Sequence, residues 1–233
     1  MNTNSEIKKT SLGQEAAKVI RNMIYSQELV SGERILEQNL SQKFNVSRAC
    51  IRDAINLLEA EGLITKQNNK SATVRSFTGK EVLDLFQARL MIECTSAVFC
   101  IENNTIPEKK LEDSINCMRE SVERIDNGEN AQMDLLNADL QFHNDLIGGA
   151  GNTYLTGMWM NLQSQYRMLI CRLFRERERC FVLGVEGHEA LLNALLRGVS
   201  KNELEKLFYA HVMSNYETIL KRLNAADATQ NKF

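Results

Sequence analysis

Proline is almost missing from this chain: Pro107 is the single one in 233 residues. That excludes collagen-like and polyproline architectures and leaves long stretches free to remain helical, since proline removes a backbone donor and breaks helices. Also missing is any run of roughly 20 uninterrupted apolar residues, the length a membrane-spanning helix needs, although hydrophobic residues make up 43% of the sequence. The N-terminus, MNTNSEIKKTS, is polar and has no apolar segment of a secretory signal, so the cytoplasm is the expected location. Cysteines stand at 50, 94, 100, 117, 171 and 180 without a CxxC spacing. They are too sparse for a disulfide-stapled secreted domain and wrongly spaced for a thiolate metal finger, so reduced, mostly buried thiols are expected. Histidine is scarce as well, with only His143, His188 and His211.

Charge is present in both signs but unevenly. Residues 1 to 75 carry 11 Lys+Arg and 8 Asp+Glu, a net +3, and the remainder carries 17 and 22, a net −5. A mildly basic front joined to an acidic rear fits an anionic partner for the front.

Apolar spacings of three and four recur through most of the chain and predict helices. A first helix runs from Ser11 to about Gln27, with Leu12, Ala16, Val19, Ile20 and Met23 inward. After the loop ELVSGERI a short helix, LEQNLSQKF, leads into the turn Asn45-Val46-Ser47. Ser47 is a good N-cap for a third helix, RACIRDAINLLEAE, and Gly62 suits its C-terminal end. Ile51, Ala54, Ile55 and Leu58 form that helix's buried stripe, and Arg48, Arg52 and Asn56 line an exposed row beside it. LITKQ, the polar turn NNKS and ATVR then alternate as a two-stranded hairpin. Helix, helix, turn, helix, hairpin is the layout of a winged helix-turn-helix, whose post-turn helix enters the DNA major groove. On an isolated helix two arginines are simply a solvated face; beside this turn and hairpin they suit guanine edges or phosphates.

The run LEQNLSQKFNVSRACIRDAINLLEAEGLI resembles the DNA-binding domain of the GntR family of bacterial transcription regulators. Leu36, Leu40, Val46, Ser47, Arg48, Arg52, Ala54, Leu58, Gly62 and Leu63 carry the match. Cys50 stands where that family usually has proline, Asp53 where it has glutamate, and Asn69 near the usual wing-tip glycine. The resemblance implies DNA contacts from Arg48 and Arg52, supported by Gln38, Ser47, Asn69 and Lys70.

In the rear, Thr78-Gly-Lys-Glu81 is a capping-box signature opening a helix to about Asn103, and Thr105-Ile-Pro-Glu108 repeats it for a helix ending near Asp126. Further helices are expected over about 130–147, 153–180 and 186–197, with Ser200 capping a last one to roughly Asn224. The expected fold is therefore mainly α: an N-terminal winged helix-turn-helix over 1–76 and an all-helical antiparallel bundle over 77–233.

At about 100° per residue, Leu136, Leu140, His143 and Ile147 share one stripe with Asp139 on its shoulder. His188 falls with Leu191, Leu192 and Leu195, and His211 with Leu204, Leu207 and Phe208. All three histidines thus point at the bundle interior. Each alone reads as a hydrogen-bonded core residue. Together with Asp139, one turn before His143, they form a donor set for a borderline divalent ion: zinc first, with nickel or manganese as alternatives. The segments DLQFH and GHEALLNAL resemble the FCD effector domain of the FadR-type branch of the same family. That resemblance implies Asp139, His143, His188 and His211 as metal ligands. Arg89 lies on the inner face of the first bundle helix and has two readings: a salt bridge to Glu93, or, as the resemblance implies, a bidentate grip on a small carboxylate effector.

The expectation is a ligand-responsive, DNA-binding repressor, homodimeric on a palindromic operator, with a metal and a small organic acid bound in its rear domain. A metal-dependent hydrolase using the same His and Asp set is the competing class. A helical structural protein whose histidines are only core is a third. The front module has no catalytic purpose, so no enzyme activity is expected.

Overall fold

The computed structural model describes residues 12–67, 71–174 and 184–230. The chain divides into two compact units, the first ending at Ser76 and the second beginning at Phe77.

In the first unit, α1 (Leu12–Tyr25) is followed by β1 (Arg34–Ile35), α2 (Glu37–Phe44), α3 (Arg48–Ala60), β2 (Ile64–Gln67) and β3 (Ser71–Val74). Ala16, Ala17, Ile20 and Ile24 of α1 and Ile51, Ala54, Ile55 and Leu58 of α3 are buried where the two helices pack. The face of α1 is rotated from the expected one. Leu12 and Val19 are exposed, and Ala17 and Ile24 are buried in their place. Both apolar sets have helical spacing, and only the position of α3 chooses between them. Arg21 closes the packing with a two-pronged contact to Glu61 at the end of α3, at 2.7 and 2.5 Å.

The α2–α3 turn follows from local chemistry. Asn45 takes a left-handed φ of 53°, which asparagine tolerates, and Val46 donates back to the Ser41 carbonyl. Ser47 then caps α3 by accepting from the Cys50 amide at 3.1 Å. Past α3, Gly62 at φ 72° reverses the chain into β2, a conformation a β-carbon would strain.

The sheet has an order the sequence did not suggest. The segment read as a loop contributes β1, which pairs with β3, giving β1-β3-β2, all antiparallel. Two residues are too short to show a strand period; the pairing exists because β3 presents a free edge to them.

The second unit comprises α4 (Gly79–Glu102), α5 (Glu108–Asp126), α6 (Gln132–Gly149), α7 (Thr153–Phe174), α8 (Val185–Arg197) and α9 (Lys201–Gln230). The expected part of the α7 helix beyond residue 174 lies outside the described residues. Thr78 forms a complete capping box with Glu81. The second expected box does not form. Thr105 donates its amide to the Cys100 carbonyl, ending α4, and the Glu108 amide is taken by Ile106, so α5 starts at Glu108 with no side-chain cap. α6 packs against α4, α5 and α7, and α8 and α9 close over α4. This central place for α6 buries Asp139, Phe142 and His143 as well as its leucines. Among the described residues, no helix is long and apolar enough to cross a membrane.

Candidate metal centre and DNA-reading helix

Four helices bring polar side chains to one point inside the second unit. α6 supplies Asp139 and His143, α8 His188, α9 His211, and α4 Arg89 and Glu93. Asp139, His143, His188, Arg89 and Glu93 are buried, and His211 is partly exposed. One ring nitrogen from each histidine lies within 4.8 Å of the other two.

The imidazoles are oriented rather than merely gathered. His188 donates from Nδ1 to the Gly184 carbonyl at 2.8 Å, which leaves the Nε2 lone pair facing inward, 3.1 Å from Asp139 Oδ1. His143 places Nε2 3.4 Å from Nε2 of His211 and 3.8 Å from Asp139 Oδ1. Phe142 packs edge-on against both His143 and His188, at 5.4 and 4.9 Å between ring centroids, fixing the two rings from α6. Close approach does not amount to hydrogen bonding here. Asp139 Oδ2, His143 Nδ1 and His188 Nε2 are buried without a hydrogen-bond partner in the protein, although two of these atoms lie 3.1 Å from a carboxylate oxygen. Buried polar atoms without a partner are rare, and His188 Nε2 and Asp139 Oδ2 are the ones that belong to the histidine cluster.

Charge favours a cation. Burial pushes the Asp139 carboxyl up, but the close approach of His188, then His143 and Arg89, outweighs it and holds the group at about 2. Burial likewise opposes ionisation of Glu93, and Arg89 and His143 overcome it, leaving the carboxyl below its ordinary value. Desolvation lowers His143 and His211, which favours the neutral imidazole, the form that can ligate a metal. Arg89 stays charged despite burial because Glu93 and Asp139 face it. One guanidinium against two carboxylates leaves a buried excess of negative charge, which is costly without compensation.

Arg89 forms the salt bridge to Glu93 that its spacing allows. Nε donates to Glu93 Oε1 at 2.5 Å, the salt bridge, while Nη2 reaches His143 Nε2 at 2.6 Å and the guanidinium lies 4.3 Å from the Tyr166 ring centroid. The Nε–Nη2 edge of the fork thus spans Glu93 and His143.

In the first unit, Arg48 and Arg52 are exposed on α3 just beyond the Ser47 cap, and Gln38 is exposed on α2. Arg52 Nη2 contacts Glu37 at 3.1 Å. Asn69 and Lys70 lie outside the described residues.

Sequence reasoning missed three participants. Helical spacing shows Glu93 only as a partner of Arg89, whereas it also approaches His143. The Gly184 carbonyl that orients His188 carries no side-chain signal at all. Lys66, on β2, is tied to Glu59 at 2.7 Å and to Asn56, so the exposed row of α3 is braced by the wing strand.

Comparison with known proteins agrees with both halves. Residues 84–228 match the FCD domain, and residues 12–74 match the bacterial regulatory proteins of the gntR family. This chain belongs to the GntR family, with an FCD domain behind its DNA-binding domain. It is similar to the Nta operon transcriptional regulator of Aminobacter aminovorans, at 26% identity over 88% of this chain and 92% of that protein. The gluconate operon transcriptional repressor of Bacillus subtilis is 25% identical over 81% of this chain and 77% of its own length. The HTH-type regulator YdhC of the same organism is 30% identical, but the match spans 60% of this chain and 61% of that one. A GntR regulator structure from Rhodococcus sp. RHA1 superposes with a TM-score of 0.73 at 19% identity, covering 91% of this chain and 99% of that one, which shows a shared fold. The protein is thus a DNA-binding transcription regulator of the GntR family and not an enzyme, and the hydrolase reading falls away.

Proposed function

We propose that this GntR-family regulator is a metal-dependent repressor that senses a small carboxylate. The observation that carries the proposal is the convergence of three imidazole nitrogens within 4.8 Å of one another, beside a buried, ionised Asp139 that lies near two of them and has one oxygen unpartnered. His143, His188, His211 and Asp139 would hold the ion. Nitrogen donors with one carboxylate suit zinc first, and nickel or manganese as well. When bound, the ion supplies a Lewis-acidic contact for an anion.

Charge supports the effector class. With neutral imidazoles the cluster of Arg89, Glu93 and Asp139 sums to one negative charge; a divalent cation turns it to one positive. A small carboxylate then finds a net attraction and a guanidinium edge shaped for it. An effector that prefers one of two arrangements of the bundle shifts DNA affinity by that preference.

In the first unit, α3 would read the major groove, Arg48 and Arg52 taking base edges or phosphates and Gln38 and Ser47 supporting them; Asn69 and Lys70 of the wing belong to the same proposal. One such module reads too few base pairs, so the working form is a homodimer on a palindromic operator in the cytoplasm. Repression agrees with what its relative from Bacillus subtilis is named for.

A gel-shift assay with fragments of the source genome tests this. A retarded fragment whose affinity changes when metal is chelated, and again when small carboxylic acids are screened, is the expected result. Specific DNA binding that ignores both metal and every acid would reject the sensing half and leave the DNA-binding half standing.

A further inference from the structure

We propose that Glu93 is a positioning residue that joins the metal ligand His143 to the effector arginine Arg89. This rests on the metal reading above and adds a residue to it.

Glu93 is fully buried, with 0% exposure, on the inner face of α4. Its two oxygens face different partners. Oε1 accepts from Arg89 Nε at 2.5 Å. Oε2 lies 3.1 Å from His143 Nδ1, and neither of those two atoms has a hydrogen-bond partner elsewhere in the protein. Two buried orphans at that separation satisfy each other after a small rotation of the ring or the carboxylate. Nδ1 then carries the proton, and the lone pair of His143 is fixed on Nε2, the nitrogen that faces His211 and Asp139. His188 reaches the same tautomer through a backbone carbonyl; for His143 the carboxylate does that work and adds negative charge behind the ring.

The same geometry links the two ligands of the domain. The Nε2 lone pair of His143 lies 2.6 Å from Arg89 Nη2, and one lone pair serves either a guanidinium or a metal. With His143 Nε2 ligating a metal, Nη2 would lose this acceptor and be left to donate to an anion. Glu93 meanwhile keeps hold of Nε, so the guanidinium stays at the site rather than withdrawing.

Zinc affinity, measured on the full chain by competition with a chromophoric chelator, tests the role. Glu93→Gln is expected to bind zinc about 10- to 100-fold more weakly than wild type, the usual consequence of losing a carboxylate behind a ligating histidine. Glu93→Gln also leaves Arg89 with less opposing charge, so the charge-balanced double variant Arg89→Gln/Glu93→Gln is measured beside it, with circular dichroism to confirm folding. The double variant is expected to show the same loss. Zinc affinity restored to wild type in the double variant, or unchanged in Glu93→Gln, would overturn the positioning role while the metal site survives. A wild-type protein that takes up no zinc overturns this inference and the metal reading together, and the two failures are told apart by the wild-type titration alone.

Discussion

Gly187 lies flush against the ring of His211: a β-carbon added there would come within 2.8 Å of Nδ1. Gly187 precedes His188 on α8, so the helix that presents one imidazole also leaves room for another arriving from α9. The usual objection to glycine inside a helix is its conformational entropy, about 0.5–1 kcal/mol relative to alanine. Gly187→Ala should therefore move two quantities in opposite directions. Thermal stability in chelator should hold or rise, while zinc affinity falls by about tenfold or more as the His211 ring is displaced. Stability and affinity falling together would mean that the ring has no slack to move and that Gly187 is only a packing requirement.

Removing the metal should loosen the second unit. An ion that binds only the folded state and is present at about 100 times its dissociation constant adds about 2.7 kcal/mol. For a unit of this size that corresponds to a fall in Tm of roughly 5–10 °C on chelation, reversed by adding zinc back. Differential scanning fluorimetry with and without chelator reads it, and a Tm indifferent to both would count against a bound ion.

Arg89→Ala should cost about 3–5 kcal/mol by urea denaturation, because it strands the buried Glu93 carboxylate. Replacing both residues by leucine should cost less than that single change, as expected for a buried pair whose members are both costly to desolvate. The single variant should also lose its DNA-binding response to any acid that acts on wild type; a retained response would remove Arg89 from the effector site.

Arg52→Ala should weaken operator binding by about tenfold or more and leave folding untouched, since its contact with Glu37 is exposed. Measured side by side, the loss should be larger on the operator than on random duplex of equal length. An equal loss on both would assign Arg52 to phosphate rather than to a base edge.

Much of this was legible from local rules, and the illegible parts share a cause. Ser47 and Thr78 announce their helices because a cap involves residues three apart. The three histidines could be placed inward because helical spacing depends only on chain position. Thr105 has the same cap spelling as Thr78 but fails, since the end of α4 claims its amide first. The inward face of α1, the two-residue strand β1, the contact between Glu93 and His143 and the fit of Gly187 against His211 all depend on partners distant in sequence. The spacing that put Glu93 one turn from Arg89 showed the first of its partners and hid the second.

Anomalous diffraction at a metal absorption edge, from protein purified without chelator, tests the central claim most directly. The account expects a single peak about 2.0–2.1 Å from one ring nitrogen each of His143, His188 and His211, with an Asp139 oxygen about 2.0–2.2 Å away. A peak elsewhere, or none from protein that still binds its operator and answers its effector, would contradict it.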